Sequence, residues 1–308
     1  MRAGALRGGA WAAVAAVGLS CCAPGASAET LYVATLRDQS NATAEAQGGA
    51  LFTVDPYTAQ YTQVAVLRIG GVTPVGITGL SIHPRTGVFF GITAGSSANI
   101  PRSLVTIDPT TGNVTLVGSL GHTGSDLRFD AKGVLYAWLT DVNCLATVDV
   151  GTGAATPLTQ PCYDQTLGGG IAFDKSGKLF VSVSTSAGSI DTWKPGDDKV
   201  ASGPTISGAP FVSAVNSMAF SESGALYAVN SNMGAPAKTR LVRIDVATGR
   251  VADVGALPAD VDPLAFAPTR ARTNNHGPDA RWAWLAVGGL LVFVVGFAAG
   301  RLSGGRRR

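Results

Sequence analysis

Residues 217–255 read SMAFSESGALYAVNSNMGAPAKTRLVRIDVATGRVADVG. The stretch SMAF is followed by the tight turn SESG and by LYAVN. After a long loop come LVRI, a second tight turn DVATG, and RVADVG. Apolar residues alternate with polar ones on either side of each short Gly-ended turn, a pattern that specifies antiparallel hairpins. Two hairpins in succession make a four-stranded sheet, with strands A to D in chain order.

The unit recurs along the chain. Its first half appears as GLSIHPRTGVFFGIT from Gly79, DLRFDAKGVLYAWLT from Asp126, GIAFDKSGKLFVSVS from Gly170 and, cut short, DPLAFAP from Asp262. The last apolar residue of strand A is Ile82, Phe129, Phe173, Phe220 and Phe266, at spacings of 47, 44, 47 and 46. The second half appears as LFTVDPYTAQYTQV from Leu51, LVTIDPTTGNVTLVG from Leu104, LATVDVGTGAATPL from Leu145, LVRIDVATGRVADVG from Leu241 and a degraded IDTWKPGDDKVASG from Ile190. A four-stranded unit of this period predicts the blades of a β-propeller.

The two ends of the repeat region fix closure and number. The last copy stops at Ala267-Pro268 after strand A, while LYVAT at Leu31 matches strand B of the other copies and runs on into the Leu51 hairpin. The first fragment therefore completes the last blade, hiding sheet edges that an open array would expose. The expected fold is all-β, a five-bladed propeller over 29–268 closed by its N-terminal strands. The phrasing LYAVNS, loop, LVRIDVATGRV, then a new LAF resembles bacterial extracytoplasmic propellers with YVTN and NHL-like repeats. That resemblance implies a scaffold for ligands or protein partners, and only occasionally an enzyme.

Strand order assigns two faces. The A–B and C–D turns are short and share one side. Asp55, Asp108, Asp149 and Asp245 recur there, and recurrence in nearly every blade points to turn chemistry, the carboxylate accepting backbone N–H groups two residues on. The long, unlike B–C loops (36–50, 93–103, 140–144, 185–189, 230–240) and D–A loops (67–78, 120–125, 159–169, 206–216, 256–262) share the other side, where binding is expected. Just before strand A the repeats place Thr78, Asp126, Gly169, Asn216 and Asp262. Asp126, Asn216 and Asp262 are a candidate oxygen set for a hard cation such as Ca²⁺ at the channel mouth, as a metal-dependent hydrolase or lactonase would need. Other rim candidates are Arg37, Asp38, Arg102, His122, Asp141, Tyr163, Asp164 and Arg240. No GxSxG elbow and no Walker loop occurs, and Gly168-Gly169-Gly170 opens a strand rather than a helix, so no cofactor beyond Ca²⁺ is expected. The recurring rings Phe129, Tyr136, Phe173, Phe180, Phe220 and Tyr227 are expected between blades. A non-enzymatic binding module is the leading functional expectation, with a protein, glycan or small molecule as ligand.

The ends of the chain carry addresses. Arg2 and Arg7, an apolar run from Ala10 to Leu19 and Ala26-Ser27-Ala28 read as a signal peptide over 1–28. Cys21 and Cys22 match a lipoprotein box poorly. Trp282 to Gly300 is uncharged, long enough to span a bilayer, edged by Trp282 and Trp284 and followed by Arg301 and Arg306–Arg308. The expected topology is an exported propeller, a stalk over 269–281, one membrane span over 282–300 and a basic cytoplasmic tail over 301–308, in a bacterial cell membrane. The 23 Lys and Arg against 20 Asp and Glu give +3 overall, but 29–269 holds 14 bases and 19 acids. A folded body of net negative charge disfavours nucleic acid. Cys144 and Cys162 flank the Gly151-Thr152-Gly153 hairpin, and export to an oxidising compartment makes them a disulfide pair.

Overall fold

The computed structural model describes residues 29–37, 48–71, 73–164, 169–183, 188–209, 214–231 and 239–269. The expected signal peptide (1–28), residues 270–281 of the expected stalk, the expected membrane span (282–300) and tail (301–308), and Asp38, Cys21 and Cys22 lie outside the described residues. Those described contain no helix; they form five sheets, each with strand A innermost.

Blade 1 joins the two ends of the repeat region. Its strand A is Val261–Phe266, and the N-terminal strands Leu31–Thr35, Ala50–Val54 and Tyr61–Val66 follow as B, C and D. Leu31 stands opposite Phe266 and Val33 opposite Leu264 in an antiparallel ladder, and Ala267 N–H donates to the Thr30 carbonyl at 2.8 Å. Blade 2 is Ile77–Ile82, Phe89–Thr93, Ser103–Ile107 and Asn113–Ser119; blade 3 is Gly124–Phe129, Leu135–Leu139, Cys144–Val148 and Ala155–Cys162. Blade 4 keeps Ile171–Phe173, Leu179–Val183 and Ser189–Trp193, but its D strand is reduced to isolated pairings of Ala201 with Thr192 and Thr205 with Ser189. That is the degraded copy, where KPGDD replaces the Asp-x-x-x-Gly turn. Blade 5 is Ala214–Phe220, Leu226–Ser231, Thr239–Ile244 and Val251–Ala256.

Aromatic pairs seal the blades to one another. Phe90 meets Phe129, Tyr136 meets Phe173, Phe180 meets Phe220 and Tyr227 meets Phe266, with centroids 5.0 to 5.4 Å apart. Each pair joins strand B of one blade to strand A of the next, and each adds about 0.5–1.5 kcal/mol beyond its buried area. Tyr32 of blade 1 meets Phe89 of blade 2, where strand A ends in Ile82 instead of Phe. The ring is thus stapled five times by the same kind of contact.

The short turns are structural, as their recurrence implies. Asp55, Asp108, Asp149 and Asp245 each accept two backbone N–H groups from the residues two and three positions on. In the A–B turns Asp130 and Asp174 accept from the residues two and four positions on, and in blade 2 His83 takes their place, its Nδ1 accepting from Arg85 and Thr86. The glycine ending the C–D turns of blades 2, 3 and 5 answers two demands at once, a place that Ala59 takes in blade 1 at φ +57°. Gly112 has φ +75°, and a Cβ there would lie 2.2 Å from the Val66 carbonyl oxygen at the end of blade 1. Gly249 repeats this against Thr205 of blade 4, whereas in blade 4 Gly196 faces open space. So each regular C–D turn docks on the outer strand of the preceding blade, and blade 4 does not.

Two expected loops are shorter than predicted. Residues 67–78 contain the strands Arg68–Ile69 and Thr73–Pro74, the first running parallel to the start of strand D in blade 2. The loop predicted from 159 is still strand to Cys162, because Cys144 stands opposite Cys162 and the two are joined by a disulfide.

Candidate functional site

The axis of the ring is closed by two charged residues of blade 3. Arg128 is buried and spreads its guanidinium across the centre. Nε donates to the Met218 carbonyl at 2.6 Å, Nη2 to Ser217 Oγ and the Leu264 carbonyl at 2.8 Å each, and Nη1 to the Leu80 and Leu127 carbonyls. Those acceptors belong to strands A of blades 5, 1, 2 and 3. A group bonded at once to blade 5 and blade 2 from blade 3 must lie on the axis.

Asp126 supplies the counter-charge. Its Oδ1 lies 3.3 Å from Arg128 Nη1 and accepts from Leu127 N–H at 2.9 Å and Ser217 Oγ at 3.0 Å. Its Oδ2 accepts from Ile171 N–H at 2.9 Å and Met218 N–H at 3.3 Å. Ile171 belongs to blade 4, so between them the pair binds the inner strand of every blade. Burial pushes the Asp126 carboxyl up to about 6 while Arg128 and the donors pull it down, and burial lowers the Arg128 guanidinium. At neutral pH the two form an ion pair.

This placement bears on the expected cation set of Asp126, Asn216 and Asp262. Counting back from the last apolar residue of strand A, Asp126 shares its position with Gly79, Gly170, Ser217 and Pro263, one residue later than that of Thr78, Asn216 and Asp262. Its two oxygens face N–H donors and a guanidinium, which is not how a cation ligand is dressed. Asn216 and Asp262 do meet, the amide Nδ2 donating to Asp262 Oδ1. Asp262 is buried, and burial with the Asp126 and Asp260 carboxylates pushes its pKa up to about 7 against the pull of that hydrogen bond. Among the described residues no three His, Cys, Asp or Glu stand close enough to hold a metal ion.

The rim residues fall into different arrangements. Arg37 lies 3.4 Å from Asp260, and Arg240 is held in a fork by Asp253. Tyr163 donates its hydroxyl to Asp191 of blade 4 at 3.0 Å and packs on Trp138, bridging the one blade junction that lacks a docked turn. The Asp164 carbonyl accepts from Asn143 Nδ2 at 3.5 Å. His122 Nδ1 sits 3.0 Å from Asp141 Oδ2. Gly95, Pro101 and Arg102 of the blade 2 B–C loop, with Ser119 and Gly121 at and just beyond the end of its strand D, line a cavity of about 290 Å³.

Arg128 was not among the expected site residues, although one signal marks it. Its repeat position holds Ser81, Ala172, Ala219 and Ala265 in the other copies, so it is the single charge in that column.

No family model matches the chain, and no curated protein does. Among solved structures, one from a crystal structure of a nidogen/laminin complex aligns over 79% of this chain and all of its own length, at 10% identity and TM-score 0.51. A structural genomics protein of unknown function from Bacteroides thetaiotaomicron VPI-5482 aligns over 59% of this chain and 52% of its own, at 10% identity and TM-score 0.44. The likeness to the first is one of fold.

Proposed function

We propose that this chain is a non-enzymatic, membrane-anchored binding module that recognises a protein partner through its long-loop face. The observation that carries this reading is the closed axis. With Arg128 and Asp126 bonded to all five inner strands, the centre of the ring is committed to holding the ring together. The short-turn face is likewise committed to its own backbone. What remains is the rim of unlike loops on a rigid scaffold, where binding residues usually collect. The nidogen/laminin neighbour is named for a complex of two proteins, and we carry a protein-binding use of the fold over to this chain as part of the proposal.

The same reading includes the kinship with bacterial YVTN and NHL-like propellers and the topology expected from the chain ends: propeller outside the membrane, C-terminus in the cytoplasm. The alternative, a metal-dependent hydrolase at the channel mouth, would have to draw on an Asp126 whose oxygens already accept N–H groups and face Arg128.

The test is photo-crosslinking on cells from two exposed valines on opposite faces. A photoreactive residue at Val142, in a B–C loop, is expected to capture a partner protein; one at Val150, in a C–D turn, is not. Capture from Val150 alone, or from both equally, refutes a face-specific module. Tags placed after Ala28 and at Arg308 test the topology, since only the first is expected to be open to protease on intact spheroplasts.

A further inference from the structure

The three arginines of the rim are not equivalent. Arg37 is answered by Asp260 and Arg240 by Asp253. Arg102 is exposed, and among the described residues no carboxylate pairs with it; Asp141, on the neighbouring loop, is hydrogen-bonded to His122 instead. Arg102 is an exposed positive charge on a body of net negative charge.

Arg102 is also held in place by its backbone. Its φ of +52° is unusual for a side chain that is not glycine. The loop keeps it there from both sides: Arg102 N–H donates to the Ala94 carbonyl at 3.4 Å, and its own carbonyl accepts from Leu120 N–H at 2.8 Å. Ser119 lines the same cavity, its Oγ accepting from Gly121 N–H at 3.1 Å. That cavity, of about 290 Å³, is the size of one side chain or one sugar ring. Its lining contains no aromatic ring, so a pyranose has no flat face to lie on, whereas a carboxylate needs only the planar fork of Arg102 and a hydroxyl donor.

We propose that this pocket is an anchor subsite of the long-loop face, receiving an aspartate or glutamate side chain of a partner polypeptide on Arg102 and Ser119. It rests on the reading of that face as a protein-binding surface. Arg102 is the anchor, and Asp141 is engaged by His122 rather than by Arg102.

The experiment uses the full-length chain in detergent. Its arginines are modified with phenylglyoxal and followed by peptide mass spectrometry. Competitors are the tetrapeptide acetyl-Gly-Glu-Glu-Gly-amide, its Gln counterpart, glucuronic acid and sulfate. Arg102 is expected to react faster than Arg37 and Arg240, and the Glu peptide to slow it about tenfold at saturation, as a charge-assisted pair should. Equal protection by the Gln peptide or by sulfate, or none by the Glu peptide, overturns the proposal; stronger protection by glucuronic acid reassigns the subsite to acidic sugars and overturns it as stated. Arg102→Gln in the Val142 crosslinking assay separates the two levels. Loss of capture supports the anchor, while undiminished capture removes the anchor and leaves the binding face standing.

Discussion

Replacing Arg128 by methionine keeps most of the side-chain volume and removes the charge that crosses the axis. Asp126 is then a fully buried carboxylate without its counter-ion, and breaking a buried pair from one side costs about 3–5 kcal/mol. The Leu80, Met218 and Leu264 carbonyls also lose their shared donor, though water entering the axis restores part of that. Taking about 4 kcal/mol and the usual 2–4 °C per kcal/mol for a domain of this size, the melting temperature should fall by about 8–16 °C. Because the orphaned carboxyl can be relieved by a proton, Arg128→Met should lose less at pH 5 than at pH 8. Asp126→Asn combined with Arg128→Met removes the buried charge altogether and should recover at least about 2 kcal/mol of the loss. Denaturant unfolding followed by the fluorescence of the buried Trp138 and Trp193 reads all three proteins. A single variant within about 1 kcal/mol of the parent, or a double variant no more stable than the single, would refute the reasoning that this pair ties the inner strands together.

Four further outcomes are expected. Asp262 has a folded pKa raised to about 7, so the folded state holds its proton more tightly; this contribution is complete below the unfolded pKa and is lost as pH rises through 7. Stability should therefore increase as pH is lowered from 8 to 5, and Asp262→Asn, which keeps an acceptor for Asn216, should flatten that rise and stabilise the protein at pH 8 by up to about 4 kcal/mol. Gly112→Ala should cost about 3 kcal/mol or more in thermal unfolding, because the new methyl meets the Val66 carbonyl; Gly196→Ala, with the same kind of φ but open space around it, should cost only about 1 kcal/mol. Replacing Cys144 and Cys162 by alanine frees a loop with a separation of 18 residues and should lower stability by about 3 kcal/mol in denaturant titration. EDTA should leave the melting temperature unchanged, and a clear drop on chelation would return a cation to the channel mouth.

The fold was legible because its determinants are periodic. Alternation, Asp-led turns and the aromatic at the end of strand A repeat in register, and LYVAT at one end completes DPLAFAP at the other. What local pattern does not carry is length across a gap. Arg128 sits in a strand that alternates correctly, and only its reach, four rotatable bonds into the space between five strands, gives it its role. Asp126 was misplaced for a related reason. Aligned by the polar residue that opens each copy it falls beside Asn216 and Asp262, but aligned by the apolar column it stands one position on, where its carboxyl meets the N–H groups of the opposite strands. The pairing of rim charges is also invisible in sequence: Arg37, Arg102 and Arg240 look alike as letters, and only the structure shows that two have partners.

The two faces of the ring meet different physical demands. On the short-turn face each repeated carboxylate serves its own turn: the Thr111 hydroxyl and then the turn N–H groups hold Asp108 below the usual carboxylate range, and the turn N–H groups do so for Asp149 and Asp245, even though all three are exposed. A face built from copies of one turn presents nearly the same surface at four blades, so it offers a partner little by which to choose an orientation. Selectivity needs the symmetry broken, and the loops on the other side break it. The B–C connection is only a few residues long in blade 3 and reaches across residues 93–103 in blade 2, where the longer loop supplies Gly95, Pro101 and Arg102 to the cavity. The polar pin at the axis lets such unequal loops be tolerated. Because the inner strands are bonded to one another through Arg128 and Asp126, and not only to their sequence neighbours, the ring can carry an uneven rim without opening.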